Sequence, residues 1–195
     1  MRHVSPLSTR REVRGGAADQ VLTALLVGAA AVALVELRLR LIPLAAPTRI
    51  AALAALYAGI LAACLVVPTP RGAGRPWLAL GVGIGGVCLA TVAAGTPVPH
   101  PYSSVAIPLA ILAAIAEEAL FRRTLYDALA PRGIVLAIVV SALLFAAIHV
   151  PLYGVAALPI DVGAGLVFGW QRWAAGSWRV PAATHALANL IGIFR

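Results

Sequence analysis

Seven apolar runs set what this chain can become. They cover about residues 21–37, 50–67, 78–94, 104–130, 134–150, 155–171 and 178–194. Most are close to the roughly 20 residues that cross a bilayer as a helix. In lipid, every backbone N–H and C=O must be satisfied within the structure, so a chain of such runs folds as packed helices. The expected fold class is all-α, a polytopic transmembrane helical bundle with about seven membrane helices. Of the 195 residues 62% are hydrophobic and only 11% charged, whereas a soluble domain carries about 25% charged residues.

The formal net charge is +8, and all 15 basic residues are arginines. In a soluble protein this would suggest nucleic acid. Here the arginines cluster between apolar runs, so they read as topology determinants and lipid-headgroup contacts, with the bilayer and not nucleic acid as partner. The tail (Arg2, Arg10, Arg11, Arg14), the 68–77 loop (Arg71, Arg75), the 122–133 turn (Arg122, Arg123, Arg132) and the 171–179 loop (Arg172, Arg179) are basic. The 95–103 and 151–154 loops carry no arginine. This alternation predicts a multi-pass protein of the cell membrane with its N-terminus in the cytoplasm. Arginine in place of every lysine suits a GC-rich genome; the membrane expected is a bacterial plasma membrane. Arg38, Arg40 and Arg49 dissent by falling outside; a Glu36–Arg40 pair on an interfacial helical extension would account for part of this.

Residues 1–19 read as a disordered basic cytoplasmic tail, residues 20–103 as N-terminal transmembrane helices, and residues 104–195 as the core that carries the chemistry. The first apolar run is long enough to stay as an anchor rather than be cleaved as a signal. Pro131-Arg132-Gly133 predicts a tight turn between runs four and five. The last run is short and should lie between other helices. Trp77, Trp170, Trp173 and Trp178 fall at run ends, as an interfacial belt requires. Cys64 and Cys88 stand in apolar runs without metal-ligand spacing and read as small buried hydrophobes.

Inside the membrane the informative residues are polar. Glu117 and Glu118 are adjacent in run four. One acidic side chain at a helix centre costs about 2.5–3.5 kcal/mol on insertion scales, so a chain that keeps two must neutralise, hydrate or use them. Glu118 and Arg122 are four apart and share a helix face. Glu117 lies about 100° round the helix and needs another partner. Phe145 and His149 stand near the end of run five, His185 and Asn189 four apart in run seven, and Asp161 beside Pro159 in run six. Asp161 reads as a kink or pocket-lip residue without a catalytic role. Counted from the 131–133 turn, Glu117 and His149 lie roughly 20 and 24 Å along neighbouring helices. His185 and Asn189 lie roughly 10–17 Å from the Trp178 end. These depths suggest a polar pocket opening from the cytoplasmic side.

Such groups could perform hydrolysis. A carboxylate in apolar surroundings is a stronger base and can take a proton from water, and a histidine can share that water or protonate the leaving amine. A His–Asn pair can donate hydrogen bonds to a developing oxyanion. Glu117, His149 and His185 also form a possible His₂Glu zinc set, with Glu118 then the separate base. The shared face of His185 and Asn189 favours the metal-free assignment, because Asn is a poor zinc ligand and a good amide donor. There is no GxSxG and no HExxH.

The three groups Glu117-Glu118-x-x-x-Arg122, Phe145-x-x-x-His149 and His185-x-x-x-Asn189 resemble the motifs of the CPBP family. That family holds the CAAX prenyl endopeptidases of the Rce1 type and bacterial bacteriocin-processing and immunity homologues. The segment Gly165-Leu-Val-Phe-Gly169, Gly176-Ser-Trp178 and Pro181 is also similar to the stretch before its third motif. The resemblance implies a four-helix catalytic core and an active site within the bilayer on the cytoplasmic side. It implies that Glu117 and His149 activate water, that His185 and Asn189 form the oxyanion site, and that Glu118, Arg122 and Phe145 support them. The expected activity is a membrane-embedded, glutamate-type peptidase without a cofactor, acting on a membrane-associated peptide or protein, prenylated or not. A non-proteolytic immunity or scaffold homologue is the main alternative. A proton-relay transporter lacks any sign of an inverted repeat.

Overall fold

The computed structural model describes residues 6–69, 72–93 and 105–194, with side chains from residue 21 onward. Seven principal helices follow the seven apolar runs: α1 (Pro6–Leu41), α2 (Ala46–Val66), α3 (Pro76–Ala93), α4 (Ala106–Glu118), α5 (Ile134–Ala147), α6 (Leu158–Ala175) and α7 (Arg179–Ile193). No strand occurs among the described residues. α4 continues without a break through a π-helical segment, Ala119–Leu125, and a further α-turn, Tyr126–Leu129. The chain is an all-helical membrane bundle.

Four stretches are long and apolar enough to cross a membrane by composition: Val21–Leu41, Ala46–Val66, Pro76–Ala93 and Ile134–Tyr153. α4 and α7 fall outside this set at 13 and 15 residues, and α6, at 18 residues, is made more polar by Asp161, Gln171 and Arg172. α1 begins at Pro6, within the stretch expected as a disordered tail. Proline is favoured at a first helical position, where its missing N–H costs nothing. The membrane-length part starts only at Val21. Residues 1–5 and the 95–103 loop lie outside the described residues.

Packing follows from side-chain size. α5 and α6 make the most intimate pair. Gly165 and Gly169, one turn apart on α6, face Ala142 and Ile138 of α5. A Cβ on Gly165 would stand 2.9 Å from Ala142 Cα, and one on Gly169 would stand 3.0 Å from Ile138 Cγ2. Small residues at this spacing let two membrane helices approach closely. α7 lies inside the bundle against α4, α3 and α6, as its length leads one to expect. Gln171 on α6 ties α3 and α7 together, donating to the Ala79 carbonyl at 2.8 Å and Thr184 Oγ1 at 2.9 Å. One apolar core, including Leu34, Tyr57, Phe121, Leu125, Phe145 and Phe168, joins α1 and α2 to α4, α5 and α6.

Cys88 corrects the sequence reading. It is exposed, whereas Cys64 is buried. The packed face of α3 runs through Ala79 and Gly83, so Cys88 points away from the bundle.

The arginines also divide differently than their loop positions suggest. Arg122, Arg123 and Arg172 are buried. Arg123 donates to the carbonyls of Cys64, Leu65 (3.3 Å) and Val67 (2.8 Å) where α2 ends. Arg172 donates to the Arg122 carbonyl at 3.0 Å and pairs with Asp127 at 2.6 Å. These three hold helices together. The Glu36–Arg40 pair forms on the exposed face of α1, at 3.5 Å.

Connectivity gives the bundle two ends. One carries the loop after α2, the α6–α7 junction and the Ala130–Arg132 turn, which closes at Gly133 with φ of 146°, a backbone state that suits glycine. The other carries the α1–α2 loop, the start of α4, the Val150–Ala157 turns and the end of α7.

The glycine contact can be tested. Gly165→Val should overpack the α5–α6 seam and cost about 1–3 kcal/mol, read as a lowered melting temperature in detergent. Gly163→Ala, which meets nothing within 4 Å, should be neutral or slightly stabilising. Equal melting of both variants with wild type would show that the seam is loose.

Candidate active site

Glu117 and Glu118 end the regular part of α4, both buried, with the π-helical segment directly after them. In that segment Thr124 Oγ1 donates to the Ala119 carbonyl at 3.1 Å, and the Tyr126 N–H reaches the Phe121 carbonyl five residues back. Such widened turns occur often at functional sites.

Glu118 is held from two sides. Arg122 Nη1 donates to its Oε1 at 3.1 Å, and His185 Nδ1 lies 3.1 Å from the same oxygen. Arg122 Nη2 donates to the Gly165 carbonyl at 3.1 Å, a bond that the close α5–α6 seam brings within reach. The guanidinium also lies 4.6 Å from the Phe145 ring centre and 5.4 Å from that of Phe168. Faces of aromatic rings stabilise a cation where water is excluded. Phe145 further meets His149 at 4.6 Å and His185 at 5.5 Å, and His185 stacks on Phe168 at 5.1 Å. Phe145 is thus the apolar floor on which both histidines rest.

Glu117 finds the partner that the sequence left open. Arg38 of α1 forms an ion pair with its Oε1, and Arg38 also donates to the Tyr57 hydroxyl. Arg38 and Tyr57 are the functional residues that sequence reasoning missed. Two signals pointed to them: Glu117 lacked a counter-charge, and Arg38 fitted the charge pattern poorly.

The other Glu117 oxygen, Oε2, faces His149 Nε2 at 3.8 Å, a separation that one bridging water can span. His149 Nδ1 lies 2.8 Å from the Phe145 carbonyl. A carbonyl only accepts, so Nδ1 carries the proton and the neutral ring offers Nε2 as an acceptor. Tyr153 stacks on the same ring at 5.7 Å. Asn189 Nδ2 donates to the Ala110 carbonyl at 3.3 Å, which leaves its second N–H for another acceptor.

Glu117, His149, His185 and Asn189 line one cavity of about 460 Å³, together with Arg38 and Tyr57. Asp161 does not line it. That carboxylate sits in the first turn of α6, within electrostatic reach of His149, Glu117 and His185.

The cavity mouth and the 122–133 turn, expected on one side, lie at opposite ends of the bundle. Ala106 starts α4, Gly192 and Ile193 end α7, and Tyr153 follows α5, and all four line the mouth. It therefore opens at the bundle end opposite the Ala130–Gly133 turn. Depths of roughly 20 and 24 Å from that turn exceed half of a hydrocarbon core about 30 Å thick. A pocket at that depth is nearer the far surface, so it cannot share a side with the turn.

Among the described residues, no three His, Cys, Asp or Glu side chains are grouped as a metal ion requires. One atom of each group in the possible zinc set is engaged, Glu117 Oε1 by Arg38, His185 Nδ1 by Glu118 and His149 Nδ1 by Phe145, which leaves Glu117 Oε2 and the two Nε2 atoms for the cavity. A guanidinium on the carboxylate opposes a second cation there.

Two substitution sets probe the pairs. Arg38→Leu should leave Glu117 buried and unpaired and cost about 3–5 kcal/mol. Adding Glu117→Gln should recover part of that loss, and a double-mutant cycle on melting in detergent measures the coupling. Zero coupling would mean that the pair does not form. Arg122→Ala should lower folded yield more than Arg122→Lys. Lys keeps a charge for Glu118, though it cannot reproduce the fork that also reaches Gly165. Full yield from Arg122→Ala would make the Glu118 pair dispensable.

No curated protein and no solved structure matches the chain. Residues 99–191 match the family model described as Type II CAAX prenyl endopeptidase Rce1-like, a stretch that contains every site residue except Arg38 and Tyr57. Over this stretch, just under half of the chain, the sequence is similar to the Rce1-like family of CAAX-protease-type membrane proteins.

Proposed function

We propose that this multi-pass membrane protein is a metal-free, glutamate-type intramembrane endopeptidase acting on a membrane-associated peptide or protein. The observation that carries this reading is the convergence of Glu117, His149, His185 and Asn189 on one cavity.

The steps follow from the donors and acceptors. A water between Glu117 Oε2 and His149 Nε2 gives one proton to Glu117 and a hydrogen bond to His149. Its oxygen attacks the peptide carbonyl carbon. The carbonyl oxygen becomes an oxyanion and accepts a hydrogen bond from the free N–H of Asn189. His185 donates from Nε2 as well when its ring carries both protons, a state that the Glu118 carboxylate beside Nδ1 accommodates. The C–N bond then breaks, and the amine leaves with the proton held on Glu117. The products are a carboxylate and an amine. Arg38, on the other oxygen of Glu117, is a positioning residue: it aims Oε2 at His149.

Purified protein tests the assignment. Glu117→Gln should lose nearly all turnover, and Asn189→Ala should lose roughly 10²–10³-fold in kcat, the range for one oxyanion donor. Thorough chelation should leave wild-type activity in place. One zinc per chain, with activity lost on chelation and restored by zinc, would overturn the metal-free mechanism. Full rescue of a knockout phenotype by Glu117→Gln would overturn the enzyme reading.

A further inference from the structure

We propose that the bundle end bearing the Ala130–Gly133 turn holds one anionic phospholipid, with its phosphate among Arg123, Arg172 and Arg179 and an acyl chain in the groove between α4 and α7. The site is independent of the hydrolytic reading, since it shares no lining residue with the catalytic cavity.

The headgroup position follows from charge. A second cavity, of about 820 Å³, lies where α2 ends, the π-helical segment passes and α6 gives way to α7. Arg123, Arg172 and Arg179 line it, with Ser177 and Trp178. Arg123 and Arg172 are only 9% and 6% exposed. Arg172 is matched by Asp127 at 2.6 Å, but the bonds of Arg123 go to carbonyls, which carry no net charge. Among the described residues neither Arg123 nor Arg179 forms an ion pair with a carboxylate. Three guanidiniums therefore stand against one paired carboxylate. A buried charge without a counter-charge is costly, and a phosphate supplies one. Donors remain for it: Arg172 bonds through Nε and Nη2, and Arg123 through Nη1 and Nη2, which leaves Arg172 Nη1 and Arg123 Nε. α7 also begins here without an acidic residue in its first turn, so its positive end adds to the field.

The acyl chain follows from a second feature. An apolar groove of about 240 Å³ starts at the same Trp178 and Arg179 and continues along Ile115 of α4 and Ala182, Ala183 and Ala186 of α7. Ala183 is exposed, so the groove is open to the bilayer along its length. Basic cavity and apolar groove thus meet at one Trp–Arg pair, and Trp is the side chain that settles at headgroup level. Inorganic phosphate would use the cavity and leave the groove empty. An amphiphile with an anionic head and a hydrocarbon tail uses both, and basic pockets between membrane helices take such head groups.

Purified protein in neutral detergent tests the site, with phosphatidylglycerol as the probe and melting temperature and native mass spectrometry as readouts. Wild type should retain one phosphatidylglycerol and melt roughly 5–10 °C higher at a hundredfold excess over Kd. Phosphatidylcholine and inorganic phosphate should shift melting far less. Arg179→Gln, at an exposed position, should melt like wild type without lipid and bind phosphatidylglycerol about fivefold more weakly, the worth of one basic residue near a membrane surface. Ala183→Trp, which fills the groove, should weaken phosphatidylglycerol binding as well. An equal shift from inorganic phosphate would overturn the lipid in favour of a free anion, and an equal shift from phosphatidylcholine would overturn the anionic head. Unchanged phosphatidylglycerol binding by Arg179→Gln would overturn the headgroup position, and unchanged binding by Ala183→Trp would overturn the groove.

Discussion

Charge burial is the constraint on which this structure depends. Glu117 and Glu118 lie in a medium that tolerates neither unpaired, and each is matched by a guanidinium. Breaking a buried pair leaves an uncompensated charge, which is far costlier than never having had the pair. The pairs therefore dictate which helices must meet. Arg38 obliges α1 to dock against α4. His185 brings α7 to Glu118, and Arg122 reaches across to the backbone of α6. Glu117 and Glu118 thus tie α1 and α7 to α4, and Arg122, the partner of Glu118, ties α6.

Close backbone approach makes these ties reachable. Arg122 meets the Gly165 carbonyl because glycine at 165 and 169 lets α6 lie against α5. The same guanidinium rests on Phe145, which in turn supports both histidines. Packing and site chemistry are one arrangement here: the ring that fills the core also sets the spacing of the groups around the cavity.

The helices were legible because their signal is local: an apolar run bounded by Pro131 and Gly133 reads the same in sequence and in space. The site groups were legible because Glu118 and Arg122, or His185 and Asn189, share a face at four-residue spacing. What escaped was everything that depends on tilt and on contacts between distant residues. Arg38 looked like a loop charge because its position near a run end says nothing of where a long, flexible side chain turns. Arg123 and Arg172 were misread for the same reason, since their partners are carbonyls and a carboxylate 45 or more residues away. The exposure of Cys88 depends on which face of α3 is covered. The cavity's direction was contained in the depth arithmetic and was obscured by measuring from one surface only.

The π-helical segment has a further consequence. A widened turn adds a residue's worth of backbone to α4 without interrupting it, which alters the phase of everything beyond by about 100°. Glu117 and Glu118, on the near side, answer to α1, α5 and α7. Arg123 and Asp127, on or past the segment, answer to the end of α2 and to Arg172. The segment acts as a phase adapter that lets one rod satisfy two sets of neighbours whose spacings do not agree. A chain built this way absorbs substitutions there far better than length changes. Losing one residue between Ala119 and Leu125 would tighten the turn to an ordinary α-helix and swing Arg123 off its carbonyls, with every upstream side chain still in place.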